Sequence, residues 1–322
     1  MRRMRGSIFR VGAVTACVAA AIIVSASALA ASNGRHIQLG VLGNPSSFDP
    51  VSGQHSSVRL TIIGWNQGGT PQYFANLFAT MSDVPMLGIG IPAGSPITPL
   101  SIAHGQDDAF LIALNQAVAT WDMPIYVRPL AEMNGDWNSY CAYNRNGSSR
   151  GPRYATSQFR KAFARIYLIV HGAANADARL ARMGMPPVDG ALVPAPMVKL
   201  VWNPQGFGAP NLPGNSAQAY YPGDAYVDVV GDDLYDQHYK AEWSAADALY
   251  RAHPHKPFSF PEWGLWGIDD PGFVRTMAKF VQQHRRLSLI SYYEGQPGSV
   301  FDLARKPHSR AAYRQLIAPL GQ

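Results

Sequence analysis

The segment VRPLAEMNGDWNSY, residues 127–140, gathers side chains that could bind and cleave a polar molecule. It opens with an apolar, strand-like run and then brings together Arg128, Glu132, Asn134 and Trp137. A glutamate can donate or accept a proton, arginine and asparagine can hold polar groups, and an indole offers a flat apolar face. A solvated surface would scatter such residues, so their clustering favours a site.

A second carboxylate, Glu262, ends the run KPFSFPEWG, residues 256–264. A pair of carboxyl groups about 5–5.5 Å apart is what a retaining glycosidase needs. One is held protonated and donates to the leaving oxygen, while the other is ionised and attacks the anomeric carbon. Arg128 could keep one of them ionised by charge pairing, and Tyr235 could orient it by a hydrogen bond.

Short apolar runs that alternate with helical patterns must position these residues. The runs read as strands buried on both faces, at 36–42, 59–64, 84–90, 124–131, 197–202, 226–231, 256–261 and 287–293. Helices are predicted at 71–81, 107–121, 155–174, 242–252, 271–285 and 308–318, with long loops at 175–196 and 203–224. Eight such units predict a single-domain α/β chain, a (β/α)8 TIM barrel over residues 31–322. A doubly wound open sheet is the alternative, but neither G-x-G-x-x-G nor a Walker pattern follows the first strand.

Polar and aromatic residues follow the predicted strands where a barrel places its active site, at the carboxyl ends. They are Trp65 and Asn66, Glu132 and Asn134, Trp202 and Asn203, Asp232, Asp233 and Tyr235, Glu262 and Trp263, and Glu294. Ordinary loops are rich in lysine and serine, whereas these ends are rich in acids, amides and tryptophan. Glu132 and Glu262, on strands four and seven, would then face each other across the barrel mouth.

The first 30 residues predict a secretory signal peptide. A basic start, an apolar core and the sequence Ala28-Leu29-Ala30 support cleavage near Ala31, with an uncleaved anchor as the alternative. Its removal takes away four arginines and no acids, so the net charge falls from +6 to +2. We therefore expect a secreted or periplasmic protein that binds no nucleic acid and meets no membrane beyond its leader. Cys141 is the one cysteine after the leader, which excludes an internal disulfide and favours one large domain.

Three segments resemble glycoside hydrolase family 26. VRPLAEMNGDW is similar to the strand-four motif of that family, an arginine, two or three apolar residues, His-Glu-Met-Asn-Gly and a tryptophan. YVDVVGDDLYD (226–236) resembles its strand-six segment, and KPFSFPEWG its strand-seven segment. The resemblance implies a TIM barrel of the retaining clan that acts on a polysaccharide without a cofactor or a metal.

By motif position, the resemblance makes Glu132 the acid/base and Glu262 the nucleophile, which Arg128 and Tyr235 support. Trp137 and Trp65 would stack on sugars. The further candidates for substrate contact are Asn134, Trp202, Asp232, Trp263, Trp266, Tyr292 and Tyr293, of which Trp202, Trp266, Tyr292 and Tyr293 could equally be rim or core packing.

One position departs from the family pattern, because Ala131 stands where the family has histidine before its acid/base. Alanine removes a polar group that can bond the sugar near the cleaved linkage. A β-1,4-mannan is the first expectation for the substrate, and β-1,3-xylan, mixed-linkage β-glucan and exopolysaccharide stay open. Several aromatic loops favour an open cleft and endo action, and we expect a monomer.

Other classes of function have less support in the sequence. A non-catalytic saccharide-binding barrel would lack a catalytic carboxylate, and both glutamates are present. A metal-dependent amidase would need ligands at several strand ends; His253 and His255 form an H-x-H pair, but on a predicted exposed loop at the opposite face. Arg160, Lys161 and Arg165 indicate a solvated face on helix 155–174.

Overall fold

Eight parallel strands close into a barrel in sequence order in the computed structural model, which describes residues 36–81 and 83–321. The strands are β1 (Gln38–Leu42), β2 (Val58–Gly64), β3 (Val84–Gly90), β4 (Ile125–Pro129), β5 (Val198–Trp202), β6 (Val229–Gln237), β7 (Phe258–Trp266) and β8 (Leu287–Tyr293). β1 pairs with both β2 and β8, which closes the ring. The predicted TIM barrel is confirmed, while the predicted signal peptide, residues 1–30, lies outside the described residues.

Helices connect the strands around the outside of the barrel. Those of the described residues are α1 (Pro45–Ser52), α2 (Pro71–Ala79), α3 (Pro99–Ala103), α4 (Asp108–Trp121), α5 (Thr156–Val170), α6 (Ala176–Arg182), α7 (Trp243–Ala252), α8 (Pro271–Gln283) and α9 (Pro307–Leu316). The six predicted helices are present, and α1, α3 and α6 are additional. α6 falls within the segment 175–196, for which a loop was predicted.

Side-chain caps fix where several of these helices begin. The Asp270 side chain accepts a hydrogen bond from the Gly272 N–H, and Pro271 occupies the first helical position of α8. Thr70 before Pro71 starts α2 in the same way. Such residues satisfy N–H groups that have no partner within the helix, so they set the start of each helix locally.

β6 and β7 extend beyond their predicted ends, residues 231 and 261. They continue to Gln237 and Trp266, and Asp233 is paired with Glu262 in register. In the sequence, acidic residues indicate the end of an apolar strand. Here Asp233 and Glu262 lie within the paired strands, because Arg128 forms an ion pair with each of them. The extension places these carboxylates inside the upper barrel.

Four aromatic residues predicted to contact substrate pack elsewhere. Trp202, Trp263 and Tyr292 are fully buried, and Trp65 is almost so. Trp263 stacks on Tyr313 with ring centroids 5.6 Å apart, and Tyr292 meets its edge. Successive strand residues point to opposite faces, so Glu262 in the barrel requires Trp263 to face the helices. A buried ring presents no face to a sugar, so the predictions of Trp65 as a stacking platform and of Trp263 as a substrate contact are wrong, while Trp202 and Tyr292 adopt the core-packing alternative.

Two predicted surface positions are also buried. His253 packs against Trp202 and Tyr221, so the exposed-loop interpretation of this residue is wrong. Arg165 is fully buried on α5, where its Nε donates to Asp108 Oδ1 at 2.8 Å and its Nη1 to the Pro186 carbonyl at 2.7 Å. The guanidinium joins α5 to α4 and to the segment after α6, so this part of the helix face is not solvated.

We expect Arg165→Met to lower the free energy of unfolding by about 3–5 kcal/mol, since it leaves the Asp108 carboxylate buried without its partner. Denaturant unfolding followed by circular dichroism measures this loss. Lys161→Met, at a partly exposed position on the same helix, is the control and should change stability by less than about 0.5 kcal/mol. Equal effects of the two substitutions would contradict the structural role of Arg165.

Candidate active site

Arg128 lies at the centre of the barrel mouth. It points inward from β4 and is 3% exposed. Its Nη1 donates to Glu262 Oε1 at 2.5 Å, its Nε donates to Asn203 Oδ1 at 3.1 Å, and its Nη2 bonds Asp233. Burial would lower the pKa of Arg128, but the adjacent carboxylates of Asp233 and Glu262 raise it overall, so the guanidinium stays charged. One cation therefore joins Asn203, which follows β5, to side chains of β6 and β7.

Glu262 is held at both of its oxygens. Arg128 binds Oε1, and the Tyr235 hydroxyl donates to Oε2 at 2.5 Å. Both donors fix the orientation of the carboxyl group. The carboxylate of Glu262 is thus pre-organised towards the open cleft that it lines.

Glu132 follows β4 on a turn with unusual backbone geometry. Leu130 and Glu132 have φ values of 52° and 53°, in the left-handed region that residues other than glycine rarely adopt. The Leu130 N–H donates to the Ile89 carbonyl and the Glu132 N–H to the Asn203 carbonyl, which holds the turn between the neighbouring strands. Conformations of this kind persist where the surrounding structure determines them, and they are common at functional sites.

The carboxyl group of Glu132 receives two neutral donors. Trp137 Nε1 donates to its Oε2 at 2.6 Å, and the Gln205 side-chain amide donates to its Oε1. Burial raises the pKa of Glu132, and the charge of Glu262 raises it further, while Arg128 and the two donors act in the opposite direction. The net increase favours the protonated form, in contrast to the Glu262 carboxylate, which is paired with a cation.

Two residues predicted to contact substrate instead support Glu132 from behind. Asn134 is fully buried and donates to the carbonyls of Gln205 and Phe207 at 2.9 and 3.0 Å. Asp232 is buried as well and accepts from the Gly206 N–H at 2.8 Å, and burial raises its pKa to about 8. Both residues fix the loop after β5 that delivers Gln205, so their assignment to direct substrate contact is wrong.

An open cleft of about 700 Å³ lies beside the two glutamates. Trp137, which was predicted as a platform, and Trp266, a further candidate for substrate contact, line it and are about half exposed, at 50% and 45%. Tyr235 and Tyr293 form an aromatic wall together with Trp266 and Phe301. Such rings can stack on the apolar faces of sugars, and the cleft is wide enough for an extended ligand.

Some residues of this site were not predicted from the sequence. Gln205, Phe207 and Phe301 line the cleft, and Asp233 was noted only as a strand-end acid. Gln205 carries the same signal as the predicted residues, an amide shortly after a strand, but it lies in a loop rich in glycine, proline and asparagine. Phe301 follows β8 by eight residues and has no comparable signal.

Residues 36–81 and 83–321 contain neither a metal-binding cluster nor a membrane-spanning helix. Over these ranges, histidine, cysteine, aspartate and glutamate side chains form no group of three or more that could hold a metal ion. The helices in the same ranges are too short or too polar to cross a bilayer.

Comparisons with known proteins agree with the sequence motifs. The family model for glycosyl hydrolase family 26 matches residues 201–274, which include Asp233, Tyr235 and Glu262 but not β4 and the turn after it, which carry Arg128 and Glu132. Endoglucanase H of Acetivibrio thermocellus is 26% identical over 239 residues, which are 68% of this chain. The chain spans only 23% of the length of that relative.

Solved structures of similar fold cover most of the barrel. The Bacillus subtilis mannanase BCman superposes with a TM-score of 0.57 at 15% identity, over 88% of this chain and 86% of that one. The catalytic domain of the family 26 endo-β-1,4-mannanase of Bacillus sp. JAMB-750 gives 0.55 at 14% identity, over 90% of both chains. The Bacteroides ovatus β-mannanase BoMan26A superposes with a TM-score of 0.52 at 17% identity, over 88% of this chain and 90% of that one. At these identities the likeness establishes the fold.

The family model, the curated relative and the closed barrel lead to one assignment. The resemblance to glycosyl hydrolase family 26 is confirmed, and the chain is a (β/α)8 barrel that is similar to members of that family.

Proposed function

We propose that this protein is an endo-acting, retaining glycoside hydrolase that cleaves a β-linked polysaccharide, with Glu262 as the nucleophile and Glu132 as the acid/base. One observation carries the proposal. Two glutamates line the same cleft, and Arg128 and Tyr235 hold Glu262 while burial raises the pKa of Glu132. Double displacement needs this division of roles, because one carboxylate must be ionised while the other still carries its proton.

The first step forms a covalent intermediate. A Glu262 oxygen attacks the anomeric carbon, the glycosidic C–O bond breaks, and the proton of Glu132 passes to the departing oxygen. In the second step the Glu132 carboxylate takes a proton from water, and the water oxygen displaces Glu262 from the anomeric carbon. The two inversions retain the configuration of the sugar, and both carboxyl groups return to their starting states.

A β-1,4-mannan is the first substrate to test, because three structural neighbours are described as mannanases. β-1,3-Xylan, mixed-linkage β-glucan and exopolysaccharides are the alternatives, and Endoglucanase H is a curated relative. The aromatic cleft supports endo action, since it offers stacking surface beyond the two glutamates. Export by cleavage of the leader and action as a monomer are parts of the proposal that rest on the sequence.

A substrate panel tests this function. Wild type, Glu262→Ala and Glu132→Ala are compared on galactomannan, glucomannan, β-1,3-xylan, mixed-linkage glucan and bacterial exopolysaccharides by release of reducing ends. We expect wild type to cleave at least one polymer and both variants to be nearly inactive on it. Wild type that binds a polymer without cleaving any would instead indicate a saccharide-binding barrel.

The environment of Glu132 predicts a pH effect. Trp137→Phe removes the indole N–H that stabilises the ionised form of Glu132, so the pKa of this acid should increase. Because the active form needs Glu132 protonated, the basic limb of the kcat/KM profile should move to higher pH.

The matched control is Trp266→Phe, which changes another indole of the same cleft and should leave that limb in place. A basic limb that is unchanged or moves to lower pH in Trp137→Phe would contradict the assignment of Glu132 as the acid.

A further inference from the structure

A second, smaller cavity opens beside Ala131, on the β2–β3 side of the catalytic glutamates. It has a volume of about 150 Å³, and its lining includes Ala131, Gly88, Gly90 and both glutamates. The cavity thus touches the point where the anomeric carbon must lie if Glu262 attacks it. A group that enters this cavity would belong to the sugar whose linkage is cleaved, or to a substituent of that sugar.

Small residues keep the cavity open. A Cβ added at Gly90 would meet no atom within 4 Å, and Ala131 projects a single methyl group where the family pattern has histidine. Ile62, which is 52% exposed, adds an apolar side to the cavity. An exposed isoleucine at the mouth of a barrel is a surface that a ligand could cover.

The polar side chains around the cavity are already engaged. The Tyr140 hydroxyl donates to the Ala131 carbonyl at 2.6 Å, and Asn138 Nδ2 donates to the Glu132 carbonyl at 2.9 Å. Arg128 donates its hydrogen bonds to Asn203, Asp233 and Glu262. A bare sugar hydroxyl that entered here would lose its hydrogen bonds to water without replacing them all, whereas the methyl group of a substituent has no hydrogen bonds to lose.

We infer that this cavity, the Ala131 pocket, takes the acetyl substituent of an acetylated sugar at the cleavage centre. The inference rests on the proposed function and names its substrate class, an acetylated β-glycan. Ala131 and Gly90 are then the residues that determine this specificity, because larger side chains at either position would fill the space that the methyl group needs. The acetyl group can be carried by oxygen or by nitrogen, and the chemistry of the pocket is the same for both.

Matched substrate pairs test the inference. Acetylated glucomannan is compared with the same polymer after alkaline deacetylation, and N-acetylated chitosan oligosaccharides are compared with their N-deacetylated form. We expect wild type to prefer one acetylated member by roughly tenfold or more in kcat/KM, the usual effect of a small apolar group in a fitted pocket. The pair that shows the preference tells whether the acetyl group is on oxygen or on nitrogen.

Two variants assign the preference to the pocket. Gly90→Ala adds one methyl group without a clash, and Ala131→His fills the space and adds a polar donor. Each should reduce the preference for the acetylated form at least several-fold, and Ala131→His should favour the bare glycan. Trp266→Ala, on the other side of the glutamates, is the control and should weaken cleavage of both forms to a similar extent.

The possible failures are distinguishable. Equal kcat/KM of wild type on both members of both pairs, or an unchanged preference in both pocket variants, overturns the inference and leaves glycan hydrolysis intact. If wild type cleaves none of the glycans in the function panel or in these pairs, the proposed function fails. In that case, calorimetry measures the affinities of Glu262→Ala for the two members of each glycan pair. Equal affinities overturn the inference about the Ala131 pocket, and tighter binding of an acetylated form supports it.

Discussion

Replacing Glu262 by alanine should lower kcat/KM by roughly 10⁴-fold or more, because the attacking group itself is lost. Arg128 and Tyr235 would then bond to no carboxylate at this position, although the fold should persist, since the substitution leaves the apolar packing of Trp263 behind it unchanged. Initial rates of reducing-end release, together with the thermal unfolding midpoint, measure both effects.

The matched control for this variant is Glu294→Gln. Glu294 also follows a barrel strand, but it is buried against the loop after β8, where it accepts from the Leu303 N–H at 3.1 Å. Burial raises the pKa of Glu294 to about 8, so at neutral pH it is largely a neutral acid that glutamine can imitate. Near wild-type activity is expected. Full activity in Glu262→Ala would contradict the assignment of the nucleophile.

Arg128→Met should reduce both stability and activity strongly. The substitution leaves Asp233 and Glu262 buried without their cation, which should cost about 3–5 kcal/mol in the free energy of unfolding. It also removes the donor that holds Glu262 Oε1 in place, so the folded variant should be nearly inactive. Denaturant unfolding and initial rates at saturating substrate measure the two losses separately.

A double variant, Arg128→Met with Asp233→Asn, separates these effects. It removes one of the two unpaired charges, so we expect it to recover part of the lost stability and none of the activity. Wild-type stability in Arg128→Met would mean that the ion pairs contribute nothing to the fold, and substantial activity would mean that Glu262 needs no cationic partner.

The sequence was sufficient to predict the barrel and the two glutamates that line its mouth. Eight apolar runs in a βα order permit few arrangements, and the pair Glu132 and Glu262 follows from motifs on two of those strands. Arg128 and Tyr235 were expected to support a carboxylate, and the structure places both of them on Glu262. These residues are local to strands, where position along the chain fixes the direction of the side chain.

The aromatic residues were less predictable. Trp202 and Trp263 lie next to site residues in the sequence, but strand alternation turns them towards the helix layer, while Trp137 and Trp266 lie after or at the end of strands and stay at the cleft. Gln205 depends on a long loop that Asn134 and Asp232 hold through tertiary contacts. No local pattern encodes such contacts, so the structure was needed to find this residue.

The stereochemistry of the first product tests double displacement at Glu262 most directly. Proton NMR can follow the hydrolysis of a reduced-end β-linked oligosaccharide of the preferred polymer, before the released sugar mutarotates. We predict that the β-anomer forms first and that the α-anomer appears only as mutarotation proceeds, because two displacements restore the configuration. An α-anomer formed first would show a single inversion and contradict the account of Glu262 as a nucleophile.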